Sequence, residues 1–550
     1  MKTYDAIVIG SGATGGWAAK QLCEGGMEVL MLEAGRMIDP SKEFQEHTWP
    51  YQLPFRGFGK PGDIDVRQRS ASRFAGEFTT QFYVNDADLP YTTPDNKPFN
   101  WIRARNVGGR TLAWGRQTYR LSNYDLQAAS HDGFGQNWPI RYEELAPYYD
   151  IVESFIGVSG RAEGYEALPD GKFLPPMNFS CGEMQLKKVV DAYGDRIMTI
   201  GRAAILTERH EGRAACHWCG HCGRGCMTGS YFSTPSSTLP AAVKTKKLTL
   251  QTHAIARQIL MGKNGKARGV VYIDGNTGKH HEVNARIVML NASTLESTRL
   301  LMLSKLGGQN DALGHYLVDH TIDCRVLGFL PAPPPPITEF DDNRANGLYI
   351  PRFRNLKTKH PDYIRGWGYQ GEAIRGIFPT HAAHRTGFGA DFKKSVREDW
   401  PYATRLWAFG EMLARRENFV RLDDTVKDKW GIPELHIEIV HSDNEIKMMK
   451  DAVDTAQEMM HKAGAEIYDV NYTPSAPGTC VHELGTARMG TDPKTSVLNP
   501  WNQVWDVPNL FVTDGAAFPS SGCVNPTLTM MAMTVRACEH IVERSKRREI

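Results

Sequence analysis

The stretch Tyr4–Gly16, YDAIVIGSGATGG, decides the fold. Its apolar residues as far as Ile9 predict a buried strand, and the composition of Ala13–Glu24 predicts a helix directly after it. A strand, a glycine turn and a helix in this order open a βαβ unit that binds a dinucleotide. The glycines of the turn follow the pattern G-x-G-x-x-G and are Gly10, Gly12 and Gly15.

Each glycine of this turn meets a separate physical need. Gly10 allows the tight turn, Gly12 lets the backbone approach a pyrophosphate, and Gly15 lets the helix and the strand pack closely. Glu33 ends the next apolar run, at the distance where an acidic residue accepts hydrogen bonds from ribose hydroxyls. A glycine turn alone is often only a turn, but here its position and the acid favour a dinucleotide. The sequence EAGR at 33–36 resembles the flavoprotein version, which favours FAD over NAD.

The composition is that of an ordinary globular protein. The 550 residues are 41% hydrophobic and 23% charged, enough for two or more domains. With 64 basic and 62 acidic residues the net charge is +2, so we expect a small, near-neutral substrate and no nucleic acid. We find no apolar run of about 18 residues and no secretory segment before Tyr4, so we expect neither a direct membrane span nor an export signal.

Four of the ten cysteines cluster in one short loop, which argues for a metal site rather than a disulfide framework. The spacing C-x₂-C-x₂-C-x₃-C is the one by which a tight loop wraps an iron–sulfur cluster. Zinc is the alternative, but its sites take two cysteine knuckles a dozen or more residues apart. Met227 stands where ferredoxins have proline, so the resemblance to ferredoxins is local. The candidate ligands are Cys216, Cys219, Cys222 and Cys226.

Five further segments extend over the whole chain. They are NVGGRTLAW at 106–114, GHYLVDH at 314–320, HELGTARMG at 482–490, VTDGAAFP at 512–519 and NPTLT at 525–529. In this order and spacing, and together with the opening turn, they resemble the segments of the glucose-methanol-choline (GMC) oxidoreductase family. The last three are the most specific part of the resemblance.

The resemblance implies a fold of the α/β and α+β classes with two domains. A Rossmann-like FAD-binding domain of GMC type would comprise 1–325 and 476–550. It would include lid loops at about 41–100 and the cysteine loop at 214–228. A mostly antiparallel-sheet, substrate-binding domain would occupy 326–475.

The family resemblance also assigns cofactor residues. Covalent-flavin branches carry a histidine in the second loop, whereas 108–114 contains none, so we expect noncovalent FAD. Asp514 would lie along the ribityl and pyrophosphate, with the capping of a helix as its alternative role. The residues added by the resemblance are Gly108, Gly109, Ala256, Asp514, Gly515, Ala516, Asn525, Pro526 and Thr527.

The oxidation of an alcohol needs a base beside the hydroxyl and a flavin facing the C–H bond. His482 is the expected base, and Asn525 would donate to the substrate oxygen and fix its orientation. The helix that begins after Asn525 would stabilise negative charge on the flavin through its N-terminus. The other candidates, His315 and His320, fall in a segment that reads as structural.

Certain bacterial sugar dehydrogenases of the family resemble this chain in their cysteine insertion, which there holds a three-iron cluster. Their ligands correspond to Cys216, Cys222 and Cys226, so Cys219 is a fourth ligand or a bystander, and a four-iron cluster stays open. We therefore expect a dehydrogenase that oxidises a ring hydroxyl of a sugar or glycoside. We favour C3, with C1 and C2 open. The alternatives are a dioxygen-using oxidase with a structural metal and a non-catalytic protein that keeps FAD for folding.

The same resemblance implies partners. A one-electron relay suggests a cytochrome or quinone as the electron acceptor. Such dehydrogenases are catalytic subunits that pair with a small export subunit bearing a twin-arginine signal. We therefore expect co-export to the periplasm, with cytoplasmic residence as the alternative.

Overall fold

A computed structural model shows the chain folded around two large sheets. The lid loops expected at 41–100 lie in part outside the residues that it describes. The described residues are 2–44, 46, 48–52, 79–308, 310–331, 344–374, 386–398 and 402–550.

The regular elements of these residues follow one another along the chain in mixed order. The strands are β1 (Thr3–Ile9), β2 (Val29–Leu32), β3 (Thr199–Ile200), β4 (Leu248–Gln251), β5 (Ala254–Met261), β6 (Ala267–Asp274), β7 (His280–Leu290), β8 (Arg325–Leu330), β9 (Leu348–Ile350), β10 (Trp367–Ile374), β11 (Tyr402–Gly410), β12 (Phe419–Lys427), β13 (Pro433–Glu438), β14 (Glu466–Asn471) and β15 (Leu510–Val512). The α-helices are α1 (Ala13–Glu24), α2 (Pro40–Glu43), α3 (Asn123–Leu126), α4 (Ala128–Asp132), α5 (Tyr142–Ile156), α6 (Cys181–Asp191), α7 (Thr238–Lys244), α8 (Thr294–Ser304), α9 (Gly389–Glu398), α10 (Asp443–Lys462) and α11 (Thr527–Lys546).

The first sheet is built on β1. This strand pairs in parallel with β2 on one side and with β7 on the other. The sheet extends from β2 to β4, while β7 pairs in parallel with β15 and antiparallel with β6. Ala6, Ile7 and Val8 are fully buried, which explains why β1 reads as a continuous apolar run rather than an alternating one. The expected Rossmann-like domain is confirmed.

The glycine turn between β1 and α1 has the geometry that its sequence predicts. Gly10 has a φ of +96°, in the left-handed region, and a Cβ on it would collide with the backbone of Asn291. A Cβ on Gly15 would collide with the carbonyl of Gly10. Gly12, in contrast, faces open space. The turn is therefore packed on the protein side and open on the side where a ligand would lie.

The second sheet is antiparallel, in the order β14-β8-β11-β10-β9-β3. Helix α10 covers one of its faces and buries Met448, Met449 and Met459 there. The expected antiparallel-sheet unit is therefore confirmed. The boundary at 325 stays a prediction, and one strand from before it, β3, completes the edge of this second sheet by pairing with β9.

One hairpin, β12–β13, lies within the range expected for the substrate domain but forms a sheet of its own. It packs against α8 of the first unit. Arg299 of α8 donates from Nε to the Pro433 carbonyl at 2.8 Å, and its Nη2 lies 3.1 Å from Asp428 Oδ2. These buried contacts are long-range in sequence, so no local pattern could predict them.

Substitution of Gly15 by Ala tests the packing of the turn. The added Cβ would force α1 away from β1, so we expect the free energy of unfolding to fall by about 1–3 kcal/mol. We also expect the purified protein to hold less flavin. Denaturant unfolding measures the free energy, and flavin absorbance per protein measures the flavin content. The control is Gly308→Ala, because a Cβ at exposed Gly308 meets no atom. Equal effects of the two substitutions would contradict the packing argument.

Candidate active site

One main cavity brings together the opening turn, the second loop and the C-terminal segments. Two ends of the chain, more than 450 positions apart in sequence, thus share its walls. The predicted site residues that line it are Gly10, Gly12, Glu33, Gly109, Ala256, His482, Asp514, Gly515, Asn525 and Thr527.

Other predicted cofactor residues adjoin the cavity rather than line it, and they shape its walls. The N–H of Gly108 donates to Ser11 Oγ at 3.0 Å, which ties the second loop to the opening turn. The N–H of Ala516 donates to Asp514 Oδ1 at 3.0 Å, so Asp514 caps the short helix Gly515–Ala517 as well as lining the cavity. The adjoining residues are Gly15, Gly108, Ala516 and Pro526.

The residues at the first end of the cavity fit the adenosine diphosphate half of FAD. Glu33 is buried and accepts from Ser11 Oγ at 2.6 Å and from the N–H of Gly35 at 2.8 Å. Burial raises the pKa of its carboxyl. Helix α1 begins at Gly12 without a side-chain cap, so its first N–H groups are available to a phosphate. An uncapped helix, an open glycine and a held carboxylate are what this ligand requires.

The loop that carries His482 is held by one buried carboxylate. Asp319 Oδ1 accepts from the N–H of His482 at 3.0 Å. Its Oδ2 accepts from the N–H of Gly478 at 2.7 Å and from the N–H of Cys480 at 3.2 Å. Burial, with the charge of Glu483 nearby, raises the pKa of Asp319 to about 7. The position of the expected base therefore depends on a residue of the distant 314–320 segment.

The side chain of His482 lies in an apolar, partly cationic environment. Its ring packs edge-on against Phe409, with centroids 5.4 Å apart, and its Nδ1 lies 3.3 Å from Cys480 Sγ. Burial is the main reason that the pKa of His482 lies well below its usual value, and His320 and Arg110 lower it further. The imidazole is therefore neutral at working pH and able to accept a proton.

His320, expected to be structural, lies directly beside the candidate base. The rings of His320 and His482 are 5.2 Å apart and nearly perpendicular. His320 Nε2 donates to the Gly522 carbonyl at 2.9 Å, and burial lowers its pKa to about 3. A neutral neighbour disfavours a charge on His482 less than a cation would. The adjacency of His320 to Asp319 in the sequence was the available signal.

Asn525 is oriented by a residue that sequence reasoning missed. Gln370 of β10 donates from Nε2 to Asn525 Oδ1 at 2.6 Å. The N–H groups of the Asn525 amide are thereby left for another acceptor. Helix α11 begins next to it without a side-chain cap, so its N-terminus can stabilise negative charge. Gln370 lies 155 positions before Asn525 and in no motif, so no sequence signal marked it.

The four predicted metal ligands line a second, smaller cavity, and among the described cysteines these four form no disulfide. Among the described residues, no three of these sulfur atoms lie within 4.8 Å of one another. At this loop, potential ligand atoms of Glu46, His217 and Cys219, one from each residue, do lie within 4.8 Å of one another. Trp114 lines the main cavity and packs against a hydrophobic cluster that includes Tyr231 of the second cavity. Cys216, Cys222 and Cys226 pack against the same cluster, so both cavities adjoin it.

An uncharged base beside a dinucleotide cleft is what the oxidation of an alcohol by a bound flavin requires. The fold and the site therefore define a flavin-dependent oxidoreductase that acts on CH–OH donors.

The chain belongs to the GMC oxidoreductase family. The family's N-terminal model matches residues 4–322, and its C-terminal model matches residues 414–534. The two matches together contain every predicted FAD-binding and catalytic residue named above.

Comparisons with individual proteins agree with this membership. The chain is 33% identical to 2-methyl-1,2-propanediol dehydrogenase of Mycolicibacterium austroafricanum, over 98% of this chain and 95% of that one. It is 26% identical to the fructose dehydrogenase large subunit of Gluconobacter japonicus, over 98% and 97% respectively. The crystal structure of pyridoxine 4-oxidase from Mesorbium loti superposes with a TM-score of 0.60 at 17% identity, covering 98% of each chain, and shares the fold.

A helix needs both sufficient length and apolar character to cross a lipid bilayer. Within the described ranges, no helix combines the length and the apolar character needed to cross a membrane.

The low pKa of His482 has a consequence for the pH profile. Since the deprotonated imidazole is the base, kcat/KM should stay level through the usual histidine pKa of about 6.5 and fall only at lower pH. Any inflection near pH 7 would belong to the Asp319 carboxyl. The measurement is kcat/KM against pH for the wild type and for Asp319→Asn. An acid limb centred near 6.5 in both proteins would contradict the buried, neutral base.

Proposed function

We propose that this protein is an FAD-dependent sugar dehydrogenase that oxidises a ring hydroxyl of a sugar or glycoside. We favour C3, with C1 and C2 as alternatives. The observation that carries the proposal is the half-buried, neutral imidazole of His482 in the same cavity as the oriented amide of Asn525. Electrons would leave through the cysteine loop to a cytochrome or quinone.

The chain's own residues divide the work on the alcohol. His482 takes the hydroxyl proton on its ring nitrogen while Asn525 donates an N–H to the same oxygen and fixes its direction. The uncapped N-terminus of α11 stabilises the negative charge that develops nearby. The residues that line the main cavity would hold FAD noncovalently, and the bound flavin would supply the hydride acceptor. The rings of His320 and Phe409 pack edge-on against His482 and hold its ring in place.

The cysteine loop supports a dehydrogenase rather than an oxidase. In a tetrahedral zinc site with Zn–S bonds of about 2.3 Å, the sulfur atoms are about 3.8 Å apart. Among the described residues no three of the four sulfur atoms lie within 4.8 Å of one another, and the four thiols line one small cavity, as ligands around a cluster would. The match of Cys216, Cys222 and Cys226 to the three-cysteine pattern of related sugar dehydrogenases favours a three-iron cluster. Such a cluster, when bound, supplies a one-electron carrier.

The relatives support two substrate classes. The likeness to a fructose dehydrogenase large subunit supports a sugar substrate and an association with other subunits. The likeness to 2-methyl-1,2-propanediol dehydrogenase favours a short-chain diol as the second candidate.

For the cellular location we propose that the enzyme acts in the periplasm and is exported with a small partner subunit that carries the export signal. Work in the cytoplasm with a soluble acceptor is the alternative.

The substrate class is tested by a panel of sugars, glycosides and short diols, assayed with an artificial electron acceptor under nitrogen. We expect turnover of at least one sugar and a 3-keto product by NMR. Turnover of diols alone would overturn the sugar assignment.

His482→Ala should lower kcat by about 10²–10⁴-fold at unchanged flavin content, because the base is lost. The control is His315→Ala, since His315 lies outside the cavity and contacts the Arg416 carbonyl.

The metal is tested by analysis of the purified holoenzyme. We expect iron and acid-labile sulfide in the wild type, and their loss in Cys222→Ser. Cys219→Ser is the matched control and should keep its iron if three cysteines hold the cluster. Zinc in place of iron, together with hydrogen peroxide formation in air, would support the oxidase alternative and contradict the proposed relay.

A further inference from the structure

The second sheet has one face packed on helices and one face that is partly open. On β10 and β11 the residues alternate between these faces. Tyr369 is buried among the core side chains under α10, whereas Gln370, Glu372, Arg405 and Trp407 are half-buried. In the register of the two strands, Gln370 lies opposite Trp407 and Glu372 lies opposite Arg405. These four side chains therefore form one compact surface.

This surface reaches the catalytic pair at two points. Gln370 touches Asn525 directly, through the 2.6 Å hydrogen bond to its amide oxygen. Phe409, two residues along β11 from Trp407, packs against the ring of His482. Because alternate residues of a strand project from one face, about 6.6 Å apart, Phe409 and Trp407 continue as one wall away from His482.

The ion pair between Glu372 and Arg405 lies two residues farther along each strand than the pair of Gln370 and Trp407. Arg405 Nη2 lies 2.5 Å from Glu372 Oε1, and its guanidinium lies 4.0 Å from the centre of the Trp407 ring. The Nε of Arg405 is buried and has no hydrogen-bond partner among the residues that the structure describes. Burial raises the pKa of Glu372 and lowers that of Arg405, so the pair is held at a cost in desolvation. The hydrophobic core of the sheet lies on the opposite face, so this ion pair does not contribute to the packing of that core.

We propose that this surface is the substrate-recognition wall of the active site, and that it takes a ring bearing several hydroxyl groups. The inference rests on the proposed function. Trp407 would contact the face or edge of the ring, and the Glu372–Arg405 pair would accept from and donate to hydroxyls beyond the reacting carbon. A short-chain diol would reach His482 and Asn525 without reaching the ion pair.

Gln370 has a different part in the same wall, as a positioning residue. With Gln370 donating to its oxygen, the Asn525 amide must present N–H groups to the substrate oxygen. Without that donor the amide can turn by half a rotation and present its carbonyl, which repels the oxygen as it loses its proton. Loss of Gln370 should therefore slow the chemistry of every substrate, large or small.

The first experiment measures binding apart from turnover. In the His482→Ala holoenzyme, D-glucose and 1,2-propanediol are titrated by the change in the flavin absorption spectrum. Adding Trp407→Leu or Glu372→Gln should weaken glucose binding by about tenfold or more and leave propanediol binding within about twofold. Equal effects on both ligands, or none on either, would overturn the recognition wall. Binding of propanediol but of no sugar by the parent protein would overturn the proposed function and the ring class together.

The second experiment separates positioning from packing. Gln370→Met keeps the side-chain volume and loses the amide, so kcat should fall by about tenfold or more for 1,2-propanediol, with KM nearly unchanged. The matched control is Gln457→Met on α10, where Gln457 donates to Tyr472 Oη on the far side of the molecule. Unchanged kcat in Gln370→Met, or a fall matched by Gln457→Met, would overturn the positioning role. This arm is decided on the diol and does not depend on a sugar being the substrate.

Discussion

The active site depends on the three hydrogen bonds that the Asp319 carboxylate accepts from backbone N–H groups. The carboxylate lies in a segment that follows the first sheet, and the groups it holds lie about 160 positions later. Without these hydrogen bonds the loop before His482 would have three buried donors unsatisfied. The same loop is fixed from the second flavin loop by Arg110, whose Nη1 lies 2.8 Å from Glu483 Oε2. The base is thus positioned by charge on two sides while its own ring stays neutral.

The sequence was sufficient for the fold, while the roles of the site residues stay predictions. Gly10, Gly12, Glu33 and His482 line one cavity, because each of their motifs encodes a local backbone requirement. The sheet to which β3 belongs could not be predicted, since two residues of edge strand carry no periodic signal. Gln370 and His320 were missed as partners of the catalytic pair for a related reason. Gln370 contacts Asn525 across the two predicted domains, and His320 contacts His482 across 162 positions within the predicted FAD-binding domain. Single-sequence patterns do not report such long-range contacts.

The second sheet serves two purposes with its two faces. Methionines and aromatic side chains fill the face under α10 and supply the stability of the unit. The opposite face carries the half-buried Gln370, Glu372, Arg405 and Trp407, and burial of the Glu372–Arg405 pair costs desolvation free energy. Core and polar side chains therefore alternate residue by residue along β11, and substitutions at neighbouring positions should affect different properties.

The pairing of β7 with both β1 and β15 has a consequence for biosynthesis. β1 and β7 meet across some 280 positions, and β15 joins β7 about 220 positions later in the chain. A chain still emerging from the ribosome carries the glycine turn but lacks His482, Asn525 and the helix that closes the cofactor cavity. The cofactor cavity is therefore complete only after these C-terminal segments have been made. Until β15 is in place, the edge of β7 that it covers lacks this partner strand, and unpaired strand edges are prone to aggregate during folding.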